Sequence, residues 1–212
     1  MDTIPWPDGH ERESADFMFS PDGEFVYFSG EDMIVLDSET FTEVDRWTIS
    51  RELEPGLGRV RPGFSASYYE EPGFFSGLVR MTDPINNRGM MGIARVNLAE
   101  KDMEFYTLGP SQPVRQFALA PGGKKAWGLY SEVGRYEFWA FDLENHRVSG
   151  RREFAGRPRM GLLVSTDGEL LYIHVAGNTI DVYDSHSYDL LRTVDVGGDM
   201  RGFVLLPGSD SP

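Results

Sequence analysis

Residues 162–184 read LLVSTDGELLYIHVAGNTIDVYD, and this stretch decides the fold. Apolar and β-branched residues fill three short runs, which is typical of strands. The first two runs flank Ser165-Thr-Asp-Gly168, where glycine can take the positive φ that a tight turn needs. The third run ends at Asp184, and an aspartate there can bond the backbone two residues on and begin another turn. The stretch therefore predicts three antiparallel strands joined by tight hairpins.

The same two turns recur along the chain. The first turn returns as Ser20-Pro-Asp-Gly23, Glu70-Glu-Pro-Gly73 and Ala120-Pro-Gly-Gly123, so that the four glycines lie 50, 50 and 45 residues apart. The strand that ends in Asp or Asn returns as Ile34–Asp37, Ile93–Asn97 and Phe138–Asp142, and a fourth β-rich run follows each. Repeated groups of four strands predict the blades of a β-propeller, whereas a sandwich would not reset with the same two turns.

We predict an all-β propeller with four four-stranded blades at approximately 16–50, 57–109, 112–155 and 158–197. One extra, unpaired first strand is expected at 200–206. The first strand of the second blade is expected at Ser67–Tyr69, and the last fourth strand at Leu190–Val196. Four blades and one odd strand do not obviously close a ring without exposed strand edges. The chain is therefore expected to be the C-terminal part of a larger propeller, or to close by pairing with another chain.

Composition excludes several classes of protein. The formal net charge of −14 argues against nucleic-acid binding, because like charges repel at the phosphate backbone. The absence of cysteine excludes disulfides and thiol nucleophiles. No apolar run approaches the ~18 residues that a membrane-spanning helix needs. The N-terminus lacks the basic and apolar regions of a secretory signal, although a longer protein could carry one upstream.

The last hundred residues resemble a known family. Val164-Ser-Thr-Asp-Gly168 and the Gly197-Gly-Asp-Met200 stretch before a final strand are the more specific motifs, and Ser20-Pro-Asp-Gly23 is general to YVTN repeats. The chain resembles the C-terminal blades of the β subunit of quinohemoprotein amine dehydrogenase, a YVTN-type propeller. The second repeat departs from the pattern. The resemblance implies a seven-bladed, periplasmic propeller without a cofactor, which packs against dihaem and quinone-bearing subunits. No catalytic residue is carried over from it.

The residues themselves show no catalytic motif. His10, His146, His174 and His186 lie in four separate contexts, so no metal site is predicted. His146 and His186 are expected to be solvated in turns, and His174 to be half-buried on a strand. There is no Gly-x-Ser-x-Gly and no phosphate loop. The recurring aspartates are explained by turn formation.

One distribution of charge points to binding. In a propeller, the fourth-to-first and second-to-third-strand loops share one face. The segments assigned to these loops hold nine of the 17 arginines and seven acids, which gives +2 on this face against −16 elsewhere. The candidate binding residues at the channel mouth are Arg61, Arg88, Arg115, Arg135, Arg159 and Arg201. Guanidinium groups there would attract carboxylate or phosphate, unless they are solvated or tie neighbouring blades by ion pairs.

Three functional hypotheses remain open. The first is a cofactor-free scaffold that binds redox partner subunits or the missing N-terminal half of the propeller, with an anionic small molecule as a further candidate ligand. The second is a lactonase-like hydrolase, which would need polar residues gathered around one channel. The third is a stand-alone periplasmic or cell-surface interaction module.

Overall fold

The computed structural model describes residues 16–20, 22–29, 32–49, 58, 60–64, 69–175, 177–200 and 202, and the side chains of 16 and 61–64 are left out of account. The chain divides into two compact units, Met1–Ser111 and Gln112–Pro212, which are treated separately below. Within the described ranges every regular element is a strand, and sixteen strands form four antiparallel four-stranded sheets. The predicted all-β fold is confirmed.

Each sheet uses four strands that are consecutive in the chain, and each strand pairs only with its neighbours in sequence. In the first unit the sheets are β1 (Asp16–Phe19), β2 (Phe25–Ser29), β3 (Asp32–Asp37) and β4 (Glu43–Thr48), then β5 (Arg61–Phe64), β6 (Phe74–Asp83), β7 (Arg88–Asn97) and β8 (Asp102–Pro110). In the second unit they are β9 (Val114–Leu119), β10 (Lys125–Glu132), β11 (Arg135–Asp142) and β12 (Arg147–Glu153), then β13 (Met160–Val164), β14 (Leu170–Val175), β15 (Gly177–Asp184) and β16 (Leu190–Met200).

Side chains close the turn between the first two strands. Ser20 Oγ donates to Asp22 Oδ1 at 2.5 Å, and the same carboxylate oxygen accepts the Glu24 amide at 3.0 Å. Ser20 Oγ in turn accepts the Phe25 amide at 2.9 Å. The fourth sheet repeats these three bonds at the same lengths among Ser165, Asp167, Glu169 and Leu170. The Ser-x-Asp-Gly signature is therefore a hydrogen-bonded unit, as the sequence indicates.

The turn between the third and fourth strands is equally regular. In every sheet an Asp or Asn side chain at its start accepts amide N–H groups two or three residues further on. The residue four positions after it takes a left-handed backbone in each case: Phe41 (φ 54°), Lys101 (φ 53°), His146 (φ 54°) and Tyr188 (φ 62°). The direction of each of these side chains is therefore set by the left-handed backbone of the turn and not by the alternation of a strand.

A backbone hydrogen bond ties the two turns of each sheet together. The residue after the Asp or Asn donates its amide to a carbonyl of the first turn, at 2.9–3.0 Å. The four pairs are Ser38 to Glu24, Leu98 to Gly73, Leu143 to Lys124 and Ser185 to Glu169. Because the bond occurs in every sheet, it identifies the equivalent residues of the four sheets.

Apolar side chains pack between the sheets of each unit. In the first unit, the buried cluster joins strands of both sheets: Met18, Met33, Val35, Ile49, Val60, Phe75, Val79, Met81, Ala94, Val96, Leu98 and Met103. In the second unit, buried Phe138 of β11 meets buried Tyr183 of β15 edge-on, with ring centroids 5.1 Å apart. Burial of such side chains is worth about 1.5–3 kcal/mol each, which makes sheet-on-sheet packing the main stabilising contribution.

The first strand of the second sheet begins earlier than predicted. The strand β5 spans Arg61–Phe64 and pairs with the middle of the ten-residue strand β6, Arg61 opposite Arg80 and Phe64 opposite Gly77. Of the predicted strand Ser67–Tyr69, only Tyr69 is described, and it lies in the turn before β6. Residues 65–68 lie outside the described part of the chain.

The last strand is longer than predicted. The prediction that this strand ends at Val196 is wrong, since β16 continues to Met200, which pairs with Gly177. Gly197 adopts φ 74° and the register shifts there, so a bulge keeps the strand paired beyond Val196. Met200 therefore belongs to the fourth strand and not to the proposed extra strand 200–206, the rest of which lies outside the described residues except for Gly202.

The turn hydrogen bonds make a prediction about acid stability. Hydrogen bonds from Ser165 and the Glu169 amide lower the pKa of Asp167, so its contribution to stability is present above the unfolded-state pKa and is lost as pH falls through the lower folded-state value. Asp167→Asn should therefore lower the urea midpoint at neutral pH, and the difference from wild type should shrink below about pH 4.

Asp189→Asn is the matched control, because it removes the same charge from a neighbouring turn where the carboxylate accepts no hydrogen bond among the described residues. Urea unfolding followed by tryptophan fluorescence across this pH range measures both variants. An equal effect of the two substitutions would show that charge alone, and not the turn geometry, is responsible.

Candidate functional site

The structure places four of the six predicted arginine side chains. Arg201 lies outside the described residues, and so does the side chain of Arg61, although its backbone begins β5. In the first unit, Arg88 begins β7 directly opposite Asp83. In the second unit, Arg135 begins β11, Arg115 is the second residue of β9, and Arg159 immediately precedes β13. The strands therefore extend into segments that were assigned to loops, and these four arginines lie at or next to strand ends.

The starts of β9 and β13 lie at the same end of the second unit. The two strands are neighbours, and their following turns meet, because a Cβ on Gly168 would lie 3.4 Å from Pro121 Cδ. At the opposite end, Gly156 leads toward β13 and packs against the ring of Tyr136, near the β10–β11 turn. Arg115 and Arg159 are therefore brought to one end of two adjacent first strands.

The described arginines differ in whether they pair with a carboxylate. Arg46, Arg95, Arg135 and Arg147 all pair with carboxylates, for example Arg46 with Glu43 at 2.7 Å and Arg147 with Asp142 at 3.3 Å. Arg115 and Arg159 are exposed and have no hydrogen-bond or ion-pair partner among the described residues. Arg152 and Arg192 are likewise exposed and without such a partner among the described residues, so it is their place at the starts of two adjacent first strands that distinguishes Arg115 and Arg159.

Backbone strain accompanies this pair. Arg159 itself and Gln116, the residue after Arg115, both adopt φ 63°. Gln116 is the extra residue of a β-bulge, since Arg115 pairs with Leu129 and Phe117 with Gly128. Left-handed backbone at a residue other than glycine costs of order 1–3 kcal/mol, and such strain clusters at functional sites. Arg159 therefore has strained backbone itself, and Arg115 lies beside a bulge residue that has it.

Arg135 has a different environment. Its guanidinium binds Glu137, with Nε 2.7 Å from Oε1 and a second contact from Nη2. Glu137 is only 5 % exposed, and its other oxygen accepts Trp139 Nε1 at 2.9 Å. Both oxygens of this buried carboxylate are therefore satisfied, and Arg135 is already neutralised.

Aromatic rings surround this carboxylate. Tyr130 stacks on Trp139 with centroids 6.0 Å apart, and the Arg151 guanidinium lies 3.7 Å from the Trp139 ring centroid. Tyr130 also donates to Glu132 at 2.7 Å, a hydrogen bond that raises the pKa of the tyrosine. Glu137 was not among the predicted site residues. Its signal in the sequence is a single acid inside the apolar run 136–141, two residues after Arg135 and therefore on the same face of the strand.

The histidines lie apart, as expected. His146 and His186 are exposed in turns, and His10 is outside the described residues. His174 is half-buried with its ring against Gly161, where a Cβ would come within 2.1 Å of Nε2, and burial lowers the pKa of this imidazole. Across the described ranges no three His, Asp or Glu side chains gather in a way that could hold a metal ion. The same residues contain no helix long and apolar enough to cross a membrane.

No protein-family model matches the sequence, and no curated protein matches it. Among solved structures, the chain is similar to the Dos1 propeller, with a TM-score of 0.51, 12 % identity, and coverage of 86 % of this chain and 48 % of that one. It is also similar to a luciferin-regenerating enzyme, with a TM-score of 0.51, 15 % identity, and coverage of 85 % and 61 %. The propeller domain of the Trilobed protease from Pyrococcus furiosus matches with a TM-score of 0.42 and 15 % identity over 63 % and 43 %.

The comparisons agree with the sheets described above. At such low identity they concern the fold alone, and they support a β-propeller. The chain spans about half to three-fifths of the lengths of the first two of these solved chains. None of the three is an amine dehydrogenase β subunit, so that resemblance stays a prediction.

The buried carboxylate makes a prediction about stability. Glu137→Ala should lower the free energy of unfolding by about 1–3 kcal/mol, because the buried indole N–H of Trp139 loses its acceptor. Glu137→Gln should cost less, since an amide oxygen can still accept that hydrogen bond. Urea unfolding compares the two with Glu153→Ala, which removes an exposed acid paired opposite Glu137. Equal losses for the alanine and glutamine variants would contradict this role.

Proposed function

We propose that this chain is a binding module, a propeller scaffold that holds an acidic partner surface at one end of its second unit. Arg115 and Arg159 are the residues that make the contact. Guanidinium groups bind carboxylates with two parallel hydrogen bonds, and an acidic polypeptide offers such groups in series.

One observation carries this proposal. Two exposed arginines begin adjacent first strands and have no partner among the described residues, although the chain carries an excess of acids. The electrostatic attraction of these guanidiniums is therefore not used within the described structure. The left-handed backbone of Arg159, φ 63° immediately before β13, supports the same interpretation, since such strain clusters at functional sites.

The finer identity of the partner follows from the family resemblance. On that basis we propose that the partners are redox subunits of an amine-dehydrogenase-like complex or the remaining blades of a longer propeller, and that the protein works outside the cytoplasm. Arg61, Arg88 and Arg201 stay candidate binding residues on the same sequence grounds, with a small anion as a further candidate ligand. The alternative of a lactonase-like hydrolase has no supporting observation among the described residues, since the oxygens of Glu137 are both engaged.

A labelled octaglutamate peptide tests the proposal, with fluorescence anisotropy as the measurement. Wild-type protein should bind it at low salt and lose affinity as salt rises, because exposed charges are screened. Replacing both arginines, Arg115→Gln with Arg159→Gln, should weaken binding about tenfold, since each exposed ion pair contributes about 0.2–1 kcal/mol and two such pairs are lost.

The matched control is Arg152→Gln with Arg192→Gln, which removes the same charge from exposed positions in β12 and β16. The control should bind like wild type. No binding by wild type at low salt, or an equal loss in the control, would refute the proposed site.

A further inference from the structure

A groove of about 380 Å³ opens between the two sheets of the first unit. Phe25, Tyr27 and Trp47 provide aromatic walls, and Val35 and Leu98 are the buried apolar residues behind them. A concave, mainly apolar surface with a few converging polar groups is the usual form of a binding site. None of the predicted arginines lines this groove, so it is separate from the site proposed above.

Strand register explains why these side chains share one face. Tyr27 of β2 pairs with Val35 of β3, and Val35 pairs with Asp45 of β4, which makes one row across the sheet. Trp47 lies two residues beyond Asp45 and therefore points to the same side. The opposite wall comes from the second sheet, where Leu98 begins the turn after β7.

The polar groups lie at the rim. Lys101 Nζ binds Asp45 Oδ2 at 2.7 Å, and the two side chains are 50 % and 36 % exposed, so a ligand reaches them from solvent. The ammonium lowers the pKa of Asp45. Burial, with smaller effects of Asp22 and Asp45, raises the pKa of Tyr27, whose hydroxyl has no hydrogen-bond partner among the described residues.

The second unit shows what fills the equivalent groove. The hydrogen bond that ties the turns together makes Leu98 equivalent to Ser185, and so Lys101 equivalent to Tyr188. Both residues lie four positions after the Asn or Asp of the turn, and both are left-handed, with φ 53° and 62°. The same turn therefore presents a lysine in the first unit and a tyrosine in the second.

The ring of Tyr188 lies in the groove of its own unit. It stacks on Phe138, with centroids 5.6 Å apart and planes at 22°, and Phe138 is the counterpart of Met33. Burial raises the pKa of Tyr188. Trp127 is the counterpart of Tyr27. Its buried Nε1 has no well-formed hydrogen bond, but its interaction with the Tyr188 hydroxyl lowers the pKa of that tyrosine and so offsets part of the effect of burial.

From this internal comparison we propose that the groove of the first unit binds a tyrosine side chain of a partner polypeptide. The second unit shows that the groove between two such sheets accepts a phenol ring delivered by a turn of polypeptide. Aromatic walls stack favourably on a ring of this kind. The Asp45 carboxylate can accept the hydrogen bond of a phenol hydroxyl, and the Lys101 ammonium can donate to it.

The test uses the blocked pentapeptide acetyl-Gly-Gly-Tyr-Gly-Gly-amide and the indole N–H signal of Trp47 in a two-dimensional NMR titration. Wild-type protein should show a saturable shift of this signal. Lys101→Tyr should weaken the peptide about tenfold or more, because the groove then holds its own ring, as in the second unit. Lys124→Tyr, which makes the same change in an exposed turn of the second unit, should leave the titration as in wild type.

Tyr188→Lys provides an independent gain of function. It empties the groove of the second unit, and the peptide should then perturb the indole N–H of Trp127 as well, provided that circular dichroism shows intact strands. No saturable Trp47 shift in wild type, or an unchanged titration in Lys101→Tyr, would overturn the proposal. Binding of free p-cresol as tight as that of the peptide would also overturn it, because the site would then serve a small phenol and not a polypeptide.

Discussion

One backbone hydrogen bond recurs in all four sheets and sets the rest of the structure. It joins the amide after the Asp or Asn of the second turn to a carbonyl of the first turn, as in Ser38 to Glu24 and Ser185 to Glu169, each at 2.9 Å. Both turns are first shaped by side chains, Ser20 and Asp22 in one and Asp37 in the other. Because the bond fixes two turns against each other, all four strands of a sheet are held at one end by local contacts that are close in sequence.

This constraint separates what is constant in the fold from what varies. The hydrogen bond between the two turns is the same in all four sheets, whereas the residue four positions after the Asp or Asn of the second turn differs between sheets. In the second unit Tyr188 closes the gap between two sheets, and in the first unit Lys101 leaves it open and binds Asp45 at its edge. The same backbone frame can thus give a packed core or a binding groove through a single side chain.

The sequence predicted the sheets well because their signals are local. Ser-x-Asp-Gly and a strand ending in Asp each depend on side chains that bond within five residues. The start of β5 at Arg61 was not predicted because its pairing partner, the middle of β6, is set by tertiary register and leaves no local mark. β16 was cut short at Val196 because Gly197 and Gly198 read as a loop, although a bulge keeps the strand paired. Glu137 was missed because its burial is set by tertiary packing, although both of its hydrogen-bond partners lie two residues away on β11. The open groove was missed because it depends on contacts between two sheets.

The arginines show how an acidic chain distributes its positive charge. Where an arginine has a structural task it is neutralised, as Arg135 is by the buried Glu137 and Arg95 by Glu71. A guanidinium over an aromatic ring, such as Arg151 on Trp139, is likewise occupied. Arg115 and Arg159 follow neither pattern, as is also true of the exposed Arg152 and Arg192 among the described residues, but Arg115 and Arg159 lie at the starts of neighbouring strands. The missing carboxylate therefore does not by itself single out these two residues; their neighbouring positions at one end of the second unit do, because only there can two unpaired guanidiniums act on one acidic surface.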